Sequence, residues 1–168
     1  MKITIIGPTG GGKSTLARRI SQKFSIPHVE LDRFWFESGG KLKQTDEERA
    51  HVAHEIRNKI TPLLLEDNWV CDGTYARIQP EIAKMADQVV LIDISFLERI
   101  GNHFTRLRTR ADRHPEVTLL SDILYFGEIA KRQFTSQKKV QDLATAHADK
   151  LVRLRRRKEI DRYFQSLG

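Results

Sequence analysis

Residues Gly7–Ser14 read G-P-T-G-G-G-K-S, and they stand between two segments of opposite character. Before them, Lys2-Ile3-Thr4-Ile5-Ile6 is short and β-branched, which suits a buried strand. After them, Leu16, Ala17, Ile20 and Phe24 recur at helical spacing. The octet fits G-x-x-x-x-G-K-[ST], a loop that cradles phosphate when a strand precedes it and a helix follows. Gly7, Gly10, Gly11 and Gly12 let the backbone turn its N–H groups inward. The helix N-terminus, with Thr15 in its first turn, adds a partial positive charge. Lys13 is placed to reach the β and γ phosphates, and the Ser14 hydroxyl to ligate Mg²⁺. A plain glycine turn before an ordinary helix would leave both flanks and the whole octet as coincidence.

Length and charge narrow the class. A chain of 168 residues suits one domain with a real core. No apolar run approaches the ~20 residues of a membrane span, and Ile3–Ile6 is too short for a secretory signal core. Cys71 is the only cysteine, so no internal disulfide forms and a reducing cytoplasm is expected. It lies in an apolar run, which favours a buried, inert thiol over a reactive one. The first 95 residues hold 13 basic and 13 acidic side chains; residues 96–168 hold 16 and 9, which is the entire net charge of +7. Such an excess serves nucleic acid or a polyphosphate ligand bound from one side.

Strand-like and helix-like patterns alternate. Strands are expected at 2–6, 27–30, 69–72, 88–93 and 150–154, and helices at 13–24, 46–65, 79–86, 97–111, 118–133 and 157–166. Pro62 should kink or shorten the last turn of its helix. Segment 134–149 is polar and fits either a loop or a frayed helix. The alternation predicts an α/β fold: a five-stranded parallel sheet, helices on both faces, and ligands outside the carboxyl ends of the strands.

Four further places carry candidate chemistry. In Trp69-Val70-Cys71-Asp72-Gly73-Thr74-Tyr75, Asp72 ends an apolar strand, suited to hold Mg²⁺ through water, and Gly73 permits close approach of a substrate. Asp93, at the end of the next strand, is the rival metal partner but lacks a following glycine. In Glu30–Phe36, Asp32 should share the sheet edge with the glycine loop and serve as acceptor ligand or general base. Trp35 suits stacking on a ring or core packing. In helix 97–111, Arg99, His103, Arg106, Arg110 and Arg113 form one continuous face beside an apolar one. The arginines' guanidinium forks suit phosphate oxygens, with Arg106 and Arg110 central, although a solvated basic helix is the plainer alternative. Finally, Arg153–Lys158 is a basic run for nucleic acid, a solvated strand end, or a place where one arginine lies over a base.

With these elements in place the chain resembles the adenylate-kinase-like P-loop kinases. It is most similar to the small proteins labelled DNA topology modulation proteins. The resemblance rests on Met1-Lys2-Ile3, Gly12–Ala17, Leu31-Asp32 with Trp35, Trp69–Tyr75, Ala86-Asp87, and Leu154 through Lys158-Glu159-Ile160 to Phe164. It covers nearly the whole chain and implies a single kinase-like domain with lid or substrate helices at about 97–134. It implies an acceptor site near Asp32, Trp35, Tyr75 and Arg77, a lid at Arg106 to Arg113, and the base of ATP near Arg155. Adenylate kinases proper continue Asp-Gly with Phe-Pro-Arg, whereas this chain reads Thr74-Tyr75-Ala76-Arg77. Shikimate kinases carry a glycine triplet after the third strand, and this chain has none. Neither AMP nor shikimate is therefore assigned as acceptor.

The leading expectation is ATP- and Mg²⁺-dependent phosphoryl transfer to a small acceptor, nucleotide- or nucleoside-like, by a monomer or homodimer without a membrane partner. The alternative is a nucleotide-dependent DNA- or RNA-binding protein that uses Arg155, Arg156 and Arg157. A GTPase switch is disfavoured, because the nearest match to Asn-Lys-x-Asp is Asn58-Lys59-Ile60-Thr61, which lacks the final Asp.

Overall fold

The computed structural model describes residues 1–41, 44–95, 98–99, 138 and 140–168. Five strands form one sheet in the order β2-β3-β1-β4-β5, and every neighbouring pair is parallel. They are β1 (Lys2–Ile6), β2 (His28–Glu30), β3 (Trp69–Asp72), β4 (Gln88–Ile92) and β5 (Leu151–Leu154). The helices are α1 (Lys13–Phe24), α2 (Leu31–Glu37), α3 (Asp46–Leu64), α4 (Gln79–Met85) and α5 (Arg157–Ser166). Residues 140–146 are also helical and lead through a 3₁₀ turn (Ala148–Lys150) into β5, so the described part of the ambiguous polar segment is mostly helix.

Alternate residues of each strand feed two opposite core layers. On one face Ile3, Ile5, Val70, Val90 and Ile92 pack with Leu16, Ala17 and Ile20 of α1 and Tyr163 of α5. On the other, Val29, Trp69 and Cys71 pack with Ile56 and Ile60 of α3 and Ile82 of α4. A third cluster joins Ile6, Val89 and Leu91 to Ala83, Val140 and Ala144. Burial on both faces explains why the strands read as continuous apolar runs. It also places Cys71 in the interior, where desolvation pushes its thiol well above the ordinary range.

Local signals account for the boundaries of α3. Thr45 and Glu48 form a reciprocal capping box at the start of α3. Its last turn contains Pro62, and the buried indole of Trp69 donates to the Leu64 carbonyl at 3.0 Å, satisfying one of the helix's orphan acceptors. The helix α2 was not expected: it begins directly after β2, without a side-chain cap or turn residue to announce it. Of the expected helix 97–111, Glu98 and Arg99 are described and helical; the helix expected at 118–133 lies outside the described residues.

The chain runs from β1 outward to β2, and later from β3 across to β4 on the other side of β1. The crevice at that reversal, beyond the carboxyl ends of β1 and β3, is where an open parallel sheet takes its ligand.

Candidate active site

The loop between β1 and α1 occupies this crevice. Gly7 leaves β1 at φ 141°, and a Cβ there would stand 2.3 Å from the Ile92 carbonyl oxygen. Glycine is therefore required for the loop to lie against the end of β4. Gly12 precedes α1 with φ 94°, and no side chain caps the first turn, which also carries no acidic residue. The first-turn N–H groups are thus disposed for an external anion. The Lys13 ammonium arches back and donates to the Pro8 carbonyl at 3.0 Å.

Asp72 is 2% exposed at the end of β3, yet both carboxylate oxygens are engaged. The Ser14 hydroxyl donates to Oδ2 at 2.5 Å, and His28 Nε2 lies 2.6 Å from Oδ1. Of the two acidic strand ends considered for a metal, Asp72 is the one joined to Ser14. The half-buried Asp93 has its backbone N–H on the Leu154 carbonyl. The Ser14 oxygen and the Asp72 carboxylate are hard donors of the kind Mg²⁺ takes, and a Mg²⁺ carried by phosphates needs only one or two protein ligands. Donating its proton to Asp72 leaves the Ser14 lone pairs available to a cation.

Gly73 brings the next element close. Its φ is 124°, and a Cβ there would lie 2.7 Å from Leu31 Cβ. The start of α2 consequently nests against the end of β3, so Asp32 comes within electrostatic reach of both Lys13 and Asp72. Asp32 opens to solvent on one side. Protein atoms crowded round the other side raise its carboxyl above the usual carboxylate range; Asp72 adds to the rise and Lys13 opposes it. Thr74 closes the arrangement by donating to the Gly7 carbonyl at 3.2 Å.

The chain is similar to known proteins in sequence and in fold. No protein-family model matches the chain. Over 124 residues it is 32% identical to an adenylate kinase of Petrotoga mobilis, spanning 61% of this chain and 57% of that protein. A tRNA dimethylallyltransferase of Parasynechococcus marenigrum is 34% identical over 71 residues, which cover 39% of this chain and 24% of the relative. The chain thus spans less than two thirds of the length of these curated relatives. The shikimate kinase of Aquifex aeolicus superposes with a TM-score of 0.57 at 17% identity, over 99% of this chain and 96% of that one. That of Bacteroides thetaiotaomicron gives 0.59 at 19%, over 98% and 94%. The fold is that of a P-loop NTPase.

Within this P-loop NTPase fold the other expected site residues fall into separate groups. Trp35 is half-buried against the α3 core, over Gly40, where an added Cβ would meet the indole at 2.3 Å. It meets Phe36 edge-on at 4.8 Å, and Phe36 is 69% exposed. The Tyr75 hydroxyl donates to the Arg49 carbonyl at 3.2 Å, and Arg77 pairs with Asp46 at 3.0 Å. Both are tied to α3 through these bonds, as is Glu81 through Arg57. Arg155 is exposed at the end of β5, its backbone N–H on Glu159. Arg99 is buried, and this burial lowers its guanidinium from the ordinary range, with Asp93 only partly opposing the shift. Arg106, Arg110 and the rest of the expected lid at 97–134 lie outside the described residues, apart from Glu98 and Arg99.

His28 was missed by sequence reasoning. Nothing local marks it. Only the parallel register, with His28 opposite Val70 and Glu30 opposite Asp72, sets it diagonally beside the Asp72 carboxylate.

Proposed function

We propose that this protein is a small-molecule kinase that passes the γ-phosphoryl group of ATP to a nucleotide- or nucleoside-like acceptor. The Ser14–Asp72 hydrogen bond at the mouth of the glycine loop carries the reading, because it joins the loop serine to an acidic strand end beside Lys13 and Asp32. Relatives with different transfer reactions in their names match the chain, so the reaction is argued from the site.

In this reading Lys13 leaves the Pro8 carbonyl for the β and γ phosphate oxygens, and the loop N–H groups hold the α and β phosphates. The nucleotide surrounds are Gly7, Gly10, Gly11, Gly12, Thr15 and Arg155. Ser14 and Asp72 hold the cation, Asp72 through water. Held by these two residues, Mg²⁺ would supply positive charge against the charge that develops on the phosphates. Asp32 orients the acceptor hydroxyl and accepts its proton, with Trp35, Gly73, Tyr75 and Arg77 bounding the acceptor side. Arg106 and Arg110 meet the transferring phosphoryl group.

The test is ADP release from ATP, screened against nucleosides, nucleoside monophosphates and small alcohols. An acceptor that raises turnover well above the buffer rate supports the reading. ATP binding with no acceptor-stimulated turnover in any class would leave a nucleotide sensor and sink it.

Asp32→Asn should lower kcat/KM by about 10²- to 10³-fold, the share of a positioned general base, with ATP affinity little changed. Asp32 must be ionised to take a proton, so activity rises with pH through its pKa. Because that pKa is raised, the acid limb lies above the ordinary ~3.9 of an aspartate. The limb should vanish in the variant; a pH profile identical to wild type would remove Asp32 from the chemistry. Among the described residues no helix is long and apolar enough to cross a membrane.

A further inference from the structure

The phosphate loop does not account for His28. Its Nε2 lies 2.6 Å from Asp72 Oδ1, while Ser14 holds Oδ2 at 2.5 Å. The two donors come from different elements, β2 and α1, and grip opposite oxygens of one carboxylate. Because β2 and β3 are parallel with His28 opposite Val70, His28 and Asp72 project from the same face of the sheet, one diagonal step apart.

We infer that His28 is a positioning residue: it fixes the Asp72 carboxylate and thereby sets the affinity of the Ser14–Asp72 site for a divalent cation. A carboxylate held by one donor swings about its last torsion, which is broad and roughly two-fold. Held at both oxygens, it presents a single orientation toward Ser14. The Asp72 side chain is 2% exposed, so bulk water does not replace a lost donor freely, and an under-bonded buried carboxylate is costly. An ionised carboxylate accepts only, so His28 carries its proton on Nε2 in this contact. Groups that orient metal ligands in this way change metal affinity by about 10- to 100-fold when removed.

The inference rests on Asp72 as a metal partner, and its test reads metal binding rather than transfer. Free Mn²⁺ is measured by electron paramagnetic resonance as the full chain is titrated in the presence of a non-hydrolysable ATP analogue. Affinity for the analogue is measured separately in EDTA. His28→Met keeps the length and removes the donor; His28→Gln keeps one N–H of similar reach. The expected result is Mn²⁺ affinity about 10-fold weaker in the Met variant, close to wild type in the Gln variant, and analogue affinity in EDTA unchanged in both. If His28→Met does not fold, His28→Asn, whose amide is too short to reach Oδ1, takes its place.

Unchanged Mn²⁺ affinity in the donor-less variant overturns the inference. So does equal weakening in the Met and Gln variants, or a matching loss of analogue affinity in EDTA, each of which assigns His28 a purely structural part. Wild-type protein that binds the analogue but no Mn²⁺ overturns the metal role of Asp72 and this inference with it. A failed acceptor screen bears only on phosphoryl transfer.

Discussion

Lys13→Ala is expected to lower turnover by about 10³-fold, the upper end of what one charge-stabilising donor supplies at a developing anion, and to leave the protein folded. The Lys13 ammonium donates to Pro8 within its own loop, a partly buried contact. A hydrogen bond of this kind contributes about 0.5–1.5 kcal/mol net, too little to decide folding. Its removal leaves the Pro8 carbonyl with the Gly11 N–H at 3.3 Å and creates no core cavity. The measurements are single-turnover ADP formation and thermal unfolding followed by circular dichroism. Full activity in the variant would detach Lys13 from the phosphates, and collapse of the fold would make its role structural.

The second large effect concerns shape. Gly7→Ala should destabilise the protein by more than ~2 kcal/mol, because two penalties act together. A φ of 141° is strained for any L side chain, and the new methyl would sit 2.3 Å from the Ile92 carbonyl oxygen, which belongs to a central strand and does not yield. For a chain of this size the melting temperature falls by about 2–4 °C per kcal/mol. Gly39→Ala is the informative comparison: its φ of 77° is also left-handed, but a Cβ there meets nothing within 4 Å. That variant should lose only the backbone part, about 1–2 kcal/mol. Equal losses in the two variants would show that contact with β4 does not constrain the loop.

Much of this architecture was legible in the chain, and the reasons are local. Ile3–Ile6, the glycine loop and the Leu16–Ile20 stripe occupy consecutive stretches, so pattern and spacing suffice to place β1, the loop and α1. Asp72 stood out because an acidic residue closing an apolar run before glycine marks a strand end at the sheet edge. What escaped was set by pairing and packing. His28 gains its meaning from a register with β3, some forty residues away. The pairing of Arg77 with Asp46 spans 31 positions. It ties Arg77 to α3, a contact that no local pattern announces. The helix α2 escaped because an aromatic-rich run of seven residues has neither the length nor the caps that make periodicity decisive.

The chain has two tryptophans, and the fold has given them unlike surroundings. Trp69 is fully enclosed, its indole N–H fixed on the Leu64 carbonyl, whereas Trp35 is half-open on α2, three positions after Asp32. A shielded indole emits at shorter wavelength than one in contact with water. The protein therefore carries two optical reporters of its own: Trp69 registers loss of the interior, and Trp35 registers changes where α2 packs on α3. With Trp35→Phe and Trp69→Phe to separate their signals, local rearrangement of α2 and unfolding become distinguishable in one unlabelled sample.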